Sequence, residues 1–202
     1  MFNLHLIRHA ESNGNAAGDY SVLDADALSN KGLFQAENLA LNLGDQSFKQ
    51  ILVSPFQRAQ ETIYPYLKKN NIKAEIWPEL SEACWQDEKE DKAERWESVP
   101  AKIENNMGTS FQFKDGIEIK AKGDASYGED LLRVHNIGLW IDNIKEEYEG
   151  EILIVSHAHF IRELMYYLLS ITNCNSIHHD NCGQTLLTYN KGWSLRYSNR
   201  VF

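Results

Sequence analysis

Arginine and histidine recur where the apolar runs of this chain end. Arg8 and His9 close LHLIRHA, Arg58 lies four residues past the end of QILVS, and His157 follows EILIVS directly. Each run reads as a buried strand, so each polar residue falls where a strand leaves its sheet. In open α/β sheets, ligands collect beyond the carboxyl ends of the strands. Arg58 also falls in the first turn of a predicted helix, where free N–H groups and the helix dipole favour an anion. Taken alone, RHAESNGN is equally readable as an ordinary solvated loop. Two arginines and two histidines at strand ends instead describe a pocket for a doubly charged oxyanion, phosphate being the commonest. Bidentate arginine contacts suit a tetrahedral phosphoryl group better than lysine point charges do.

The elements that must position these residues follow from periodicity. LSNKGLFQAENLALNLG predicts a helix capped by Ser29, with Leu33, Ala36, Leu39, Ala40 and Leu43 on its apolar face and Gly44 as its stop. SPFQRAQETIYPYLKKN predicts a second helix, with Ser54 as cap, Pro55 in the first helical position, and a kink or early end at Pro65. IKAEIW reads as a short strand, YGEDLLRVHNIGLWIDNIKEEY as a long helix, and HFIRELMYYLL as the helix after EILIVS. QTLLTYN and GWSLRYS close the chain as a hairpin. Strands alternating with helices predict an α/β fold, a three-layer α/β/α sandwich around a mostly parallel sheet.

Residues 84–126 fit that pattern least, and the expectation is one domain over 1–202 with a cap or lid inserted there. Within it, FQFKDGIEIK places Phe111, Phe113, Ile117 and Ile119 in alternation about Asp115-Gly116, a pair favoured in two-residue hairpin turns. A hairpin needs a surface for its apolar face. Packed over the carboxyl edge of the sheet it would be a lid; packed elsewhere, an excursion.

Composition narrows the function. The 202 residues are 43% hydrophobic and 24% charged, values of a soluble globular chain, and no run approaches the ~18 apolar residues of a membrane span. The amino terminus enters a strand without a basic, apolar leader, so a cytoplasmic location is expected. Three cysteines, Cys84, Cys174 and Cys182, are too few and odd in number for a disulfide framework. A net charge of −9 argues against nucleic acid or an anionic membrane as partner. Positive charge for an anionic ligand must therefore be local.

The motifs together resemble the histidine phosphatase superfamily, the group that includes cofactor-dependent phosphoglycerate mutases and many small phosphatases. Arg8, His9, Glu11, Ser12 and Asn15 match its opening Arg-His-Gly-Glu-Ser/Thr and following Asn, with Ala10 in place of the glycine. LSNKGLFQAENLA is similar to its next helix, SPFQRAQET to its Ser-Pro-x-x-Arg-Ala-x-x-Thr motif, ELSEACW to its Leu-x-Glu segment, and VSHAHFIR to its Val-x-His-Gly-Gly-x-Ile-Arg. Only residues 84–126 lie outside these matches.

The resemblance implies His9 as the nucleophile that accepts the phosphoryl group. It implies that Arg8, Arg58 and His157 hold the phosphoryl oxygens, that Asn15 adds a hydrogen bond, and that Glu82 protonates the leaving group. A neutral imidazole can attack phosphorus and later leave, and positioning with charge stabilisation does most of the work, so neither a metal nor a cofactor is required. Glu82 competes with a bland reading as one solvated acid among Glu79, Asp87 and Glu88. Ala83, Cys84, Trp85 and Gln86 follow it where the family often has a glycine. Ala158-His159 replaces the glycine pair after His157, leaving His159 either a further substrate contact or a helix-start residue turned away. The spacing of Cys174, His178, His179 and Cys182 is unlike that of zinc motifs. Asn181 matches a family asparagine, Arg162 reads as structural, and His5 and His135 as strand and helix residues without a role.

The expected function is hydrolysis of a small phosphorylated metabolite by a metal-independent phosphomonoesterase through phospho-His9. Two alternatives remain open. A phosphoglycerate mutase would return the phosphoryl group to its substrate, although mutases of this family are usually longer. An inactive phospho-ligand-binding module would need none of the retained catalytic set.

Overall fold

The computed structural model describes residues 1–83, 107–114, 126–172 and 177–202. Strand β1 (Phe2–Arg8) leads through a short helix α1 (Asn13–Ala17) to helix α2 (Asn30–Leu43) and strand β2 (Gln50–Val53). Helix α3 (Gln57–Asn70) and strand β3 (Ala74–Ile76) follow, and then a 3-10 turn at Pro78–Leu80. Strand β4 (Phe111–Phe113), helix α4 (Tyr127–Ile144), strand β5 (Gly150–Ser156), helix α5 (Ala158–Leu169) and the hairpin strands β6 (Gln184–Tyr189) and β7 (Trp193–Arg200) complete the order.

The seven strands of the described residues form one sheet in the order β4-β3-β2-β5-β1-β6-β7. β4, β3, β2, β5 and β1 are parallel, while β6 pairs antiparallel with β1 and β7 with β6. Strand alternation sorts side chains to the two faces. Ile7, Ile51, Val53, Leu153 and Val155 pack with Ala36, Leu39 and Leu43 of α2 and Ile63 and Leu67 of α3. Phe2, Leu4, Leu6, Leu52, Ile152 and Ile154 pack on the other face with Val134, Ile137 and Ile141 of α4 and Phe160, Leu164 and Met165 of α5. The chain is thus the three-layer α/β/α sandwich that its alternation predicts. No helix among the described residues is long and apolar enough to cross a membrane.

Register aligns the strand exits. Arg8 pairs with Ser156, and Val53 with Val155, so the carboxyl ends of the adjacent strands β2, β5 and β1 finish level. This edge receives Ser54, His157 and His9.

Local expectations fail at several points, each for a tertiary reason. Phe56, not Ser54, stands at the N-cap of α3, and it makes no side-chain cap bond. Pro65 neither kinks the helix to a stop nor shortens it: α3 runs to Asn70, with Ile63, Tyr66 and Leu67 around Pro65 fully buried. On α2, Leu33 points to solvent at 51% exposure while Gly32 is buried. The long helix ends at Ile144, earlier than its apolar pattern suggests.

Phe111–Phe113 pairs parallel with β3 as the edge of the main sheet, and Phe111 lies in the α2/α3 core. At ~4.8 Å per strand, β4 stands roughly 19 Å from β1, too far for these phenylalanines to cover His9. Asp115-Gly116 and the second arm of the expected hairpin lie outside the described residues.

Gly32 fits against the loop that follows His9. Ser29 caps α2 by accepting from the Gly32 N–H at 3.0 Å, and its own N–H donates to the Glu11 carbonyl at 2.9 Å. A Cβ at position 32 would lie 2.0 Å from that carbonyl oxygen. Gly32→Ala should therefore lower the stability to urea by about 2 kcal/mol. Gly128→Ala, in open space near the start of α4, should raise it by about 0.5 kcal/mol. Equal midpoints for the two variants would contradict this account of α2.

Candidate active site

His9 follows the last residue of β1 and is 2% exposed. Its Nδ1–H donates to the Ala10 carbonyl at 2.7 Å, and its Nε2 accepts from Arg58 Nε–H at 3.2 Å. These two bonds specify one tautomer, with the lone pair on Nε2. Ala10 fills the place of the family glycine without strain. Its backbone is not among those with positive φ, and its N–H donates to Thr62 Oγ1 at 2.8 Å. Thr62 in turn donates to the Arg58 carbonyl at 2.6 Å, so the last residue of SPFQRAQET locks α3 to the loop carrying His9.

Arg58 is the centre of the arrangement, 2% exposed, with every nitrogen engaged. Nε serves His9, Nη2 donates to His157 Nδ1 at 3.1 Å, and Nη1 forms an ion pair with Asp26. Asp26 also accepts from the Gln57 N–H at 2.7 Å, tying its loop to the start of α3. The guanidinium lies 4.4 Å from the centre of the Phe56 ring. Because His157 accepts at Nδ1, its Nε2 carries the proton and donates to Ser54 Oγ at 2.7 Å. The hydroxyl expected to cap a helix therefore orients an imidazole. The two imidazole rings stand 5.1 Å apart, edge to face.

Burial is the largest influence on both histidines. It holds His9 and His157 well below the ordinary imidazole value, and the Arg58 and Arg8 cations push in the same direction. Both rings are thus neutral at physiological pH. Arg8 donates from Nη1 to the His179 carbonyl at 2.6 Å, and its buried Nε has no hydrogen-bond partner among the described residues. Two guanidinium groups beside two neutral imidazoles form a local positive centre in an acidic chain.

Asn15 belongs to the support of this centre. Its Oδ1 accepts from the Ser12 N–H at 3.3 Å as half of a capping box, and its Nδ2 donates to the Tyr20 hydroxyl at 2.7 Å. Asn181 bridges outward from the His9 carbonyl, at 3.0 Å, to Asn15 Oδ1, at 3.4 Å. Glu82 follows the 3-10 turn. Its Oε1 accepts from the backbone N–H groups of Ala83 at 3.0 Å and Phe160 at 3.3 Å. Its Oε2 faces His159 Nδ1 at 3.8 Å. His159 is therefore turned toward the acid, 39% of its side chain still exposed.

Other sequence candidates lie apart from this chemistry. Arg162 pairs with Glu163, His5 with Glu151, and His135 stacks near Tyr167. His178 pairs with Asp180 at 3.3 Å, and His179 Nε2 hydrogen-bonds with Thr185 Oγ1 at 2.8 Å; Cys174 lies outside the described residues. Burial raises the Cys182 thiol to about 12, which makes it inert. A cavity of about 380 Å³ opens at the opposite end of β2, lined by Lys49, Gln50, Tyr66 and Lys73, and contains none of the residues that meet at His9. Asp26 and Ser54 were absent from the sequence candidates. Ser54 shares one motif with Arg58, but Asp26 has no local signal.

The chain matches the model of the histidine phosphatase superfamily (branch 1) over residues 4–200 and belongs to that family. It is 27% identical to the adenosylcobalamin/alpha-ribazole phosphatase of Escherichia coli K12 over 83% of this chain and 79% of that protein. It is 28% identical to phosphoserine phosphatase 1 of Hydrogenobacter thermophilus over 85% and 78%, respectively. The crystal structure of the alpha-ribazole phosphatase from Shigella flexneri superposes with a TM-score of 0.66 at 24% identity, covering 98% of this chain and 96% of that one. That likeness is one of fold; with the family and its named relatives, the chain is a phosphatase.

The neutral histidines carry a consequence for stability. His5, His9, His157 and His179, the last at about 4, are all held below 6.5 chiefly by burial. The unfolded chain takes up these protons first as pH falls, so their contribution is complete above about 6.5 and declines below it. The urea midpoint should fall between about pH 7.5 and pH 5.5. A midpoint that is flat or rising toward acid would contradict the neutral assignment.

Proposed function

We propose that this chain hydrolyses a small phosphorylated metabolite through a phosphohistidine on His9, without a metal ion. The observation that carries the reading is the buried Arg58 guanidinium bonded at once to His9 Nε2 and His157 Nδ1. A phosphoryl oxygen is a stronger acceptor than an imidazole nitrogen, so Arg58 redirects its N–H hydrogen bonds to the substrate and frees the Nε2 lone pair for attack. Arg8, through its unpartnered Nε, takes a further oxygen; once Arg58 Nη2 turns to the substrate, His157 holds another in the tautomer that carries its proton on Nδ1, with the Ser54 hydroxyl donating to Nε2, and Asn15 and Asn181 hold the loop beside them.

His9 Nε2 bonds to phosphorus as the ester oxygen departs, and Glu82 Oε2 gives that oxygen its proton. Nδ1–H stays on the Ala10 carbonyl and stabilises the charge that develops on the ring. Water then attacks phosphorus, Glu82 takes its proton, and the P–N bond breaks to release inorganic phosphate and neutral His9. His159 touches the acid rather than the nucleophile, which fits it to the leaving-group side. Arginines supply the charge stabilisation that a cation supplies elsewhere. The relatives named above act on chemically different phosphate esters, which supports a small metabolite as the substrate class. The odd cysteine count and the inert Cys182 support a reducing compartment such as the cytoplasm.

The test is release of phosphate from p-nitrophenyl phosphate and from β-glycerophosphate, each with and without EDTA. His9→Ala should lose at least about 1,000-fold in kcat, and EDTA should change nothing. Glu82→Gln should lose about 100-fold on the alkyl ester and far less on the aryl ester, whose leaving group needs no proton. Activity that collapses in EDTA and returns with a divalent ion would overturn the metal-free mechanism.

A further inference from the structure

Glu82 sits on an irregular segment after the 3-10 turn, where no sheet or helix holds the backbone, yet every carbonyl from Glu79 to Glu82 has a donor. Arg133, on α4, donates from Nη1 to the carbonyls of Glu79 and Ser81, both at 2.8 Å. Its Nη2 donates to the Glu82 carbonyl at 2.8 Å and to Asp130 Oδ1 at 2.6 Å. Ser156, the last residue of β5, donates its hydroxyl to the remaining carbonyl, that of Leu80, at 2.7 Å. Asp130 is buried at 3% exposure, so the guanidinium fork is held from below as well as loaded from above.

We infer that Arg133 is a positioning residue for phosphoryl transfer: with Asp130 behind it and Ser156 beside it, it sets where the Glu82 carboxyl stands relative to His9. The inference rests on the reading of Glu82 as proton donor. With the backbone clamped, Oε1 reaches the N–H groups of Ala83 and Phe160, and Oε2 is the oxygen left to handle the proton. Arg133 touches no reacting atom in this arrangement. Its effect passes through the acid alone, because proton transfer depends on heavy-atom placement within hydrogen-bond reach. A lysine at 133 would keep the charge but replace a planar fork by a single point, and cannot span three carbonyls in the same way. This explains how the segment reaches the site despite lacking the glycine its relatives often carry after the acid.

The test compares kcat/KM for β-glycerophosphate, whose alkoxide needs a proton, with that for p-nitrophenyl phosphate, whose phenolate does not. Arg133→Met should lose about 10- to 100-fold on the first and at least tenfold less on the second, the same direction of change as Glu82→Gln. In a Glu82→Gln background, Arg133→Met should shift the ratio of the two by less than about twofold, since both changes remove one function. Arg133→Lys should fall between wild type and Arg133→Met. Should Arg133→Met fail to fold by circular dichroism, Arg133→Lys and Asp130→Asn carry the same ratio test. Equal losses on both esters, or a ratio shift that persists undiminished without Glu82, would make Arg133 a structural residue and overturn the inference. If Glu82→Gln splits the esters and the Arg133 variants do not, the clamp alone fails. If Glu82→Gln itself shows no split, the acid reading fails and the clamp with it.

Discussion

A guanidinium buried to 2% exposure is the constraint around which the rest of this molecule is arranged. Taking a cation out of water costs several kcal/mol unless its donors are met and its charge is paired. Arg58 meets that demand with one carboxylate, Asp26, and two imidazoles whose tautomers its own N–H groups specify. The arrangement is self-consistent in one protonation state. If either histidine gained a proton, the acceptor for an Arg58 N–H would vanish and a second cation would face the first. Burial and the arginine charge act together against that outcome. A neutral, oriented and buried His9 is the result.

Around that centre the sheet and its two helical layers have separate tasks. The α2/α3 layer supplies Arg58 and the Thr62 hydroxyl that anchors Ala10, so it governs how His9 is placed. The α4/α5 layer governs the acid, through Arg133 below the backbone of Glu82 and the Phe160 N–H against its carboxyl. β5 lies between them and contributes to both, with Ser156 bonded to the Glu82 segment and His157, just past its end, bonded to Arg58. His9 and Glu82 are thus held by opposite faces of one sheet, whose parallel register keeps the strand exits level.

The shared fold and family explain the reaction better than they explain the substrate. On the proposed mechanism Arg8, His9, Arg58 and His157 address the phosphoryl group, which every phosphate monoester presents alike. Discrimination among esters must come from side chains that meet the rest of the molecule. His159 stands in the first turn of α5 and faces Glu82 at 3.8 Å. A ring there narrows the space beside the acid and adds a polar edge to it.

Much of this was legible in the linear order of residues. Alternating apolar strands, the Ser29 cap, the Gly44 stop and the three polar strand exits are local signals, because propensity and periodicity act over a few residues. They determine the layered fold and nominate Arg8, His9, Arg58 and His157, whereas Glu82 came only from the resemblance to the family. Other features depend on partners distant in sequence. Ser54 looks like a helix cap until β2 and β5 pair and bring His157, 103 residues away, to its hydroxyl. Pro65 looks like a helix stop until Ile63, Tyr66 and Leu67 are buried on both sides of it, and the lost hydrogen bond is outweighed by packing. Phe111–Phe113 reads as an extended apolar segment, but only folding shows that β3 is its partner. Asp26 and Arg133 carry no local mark at all, since an ion pair across 32 residues and a clamp across 51 to 54 exist only once loops and helices have packed. The sequence by itself nominated the groups that could do chemistry; the tertiary structure alone decided their tautomers, their charge states and what holds Glu82 in place, because each of those is a property of burial and of neighbours brought together by folding.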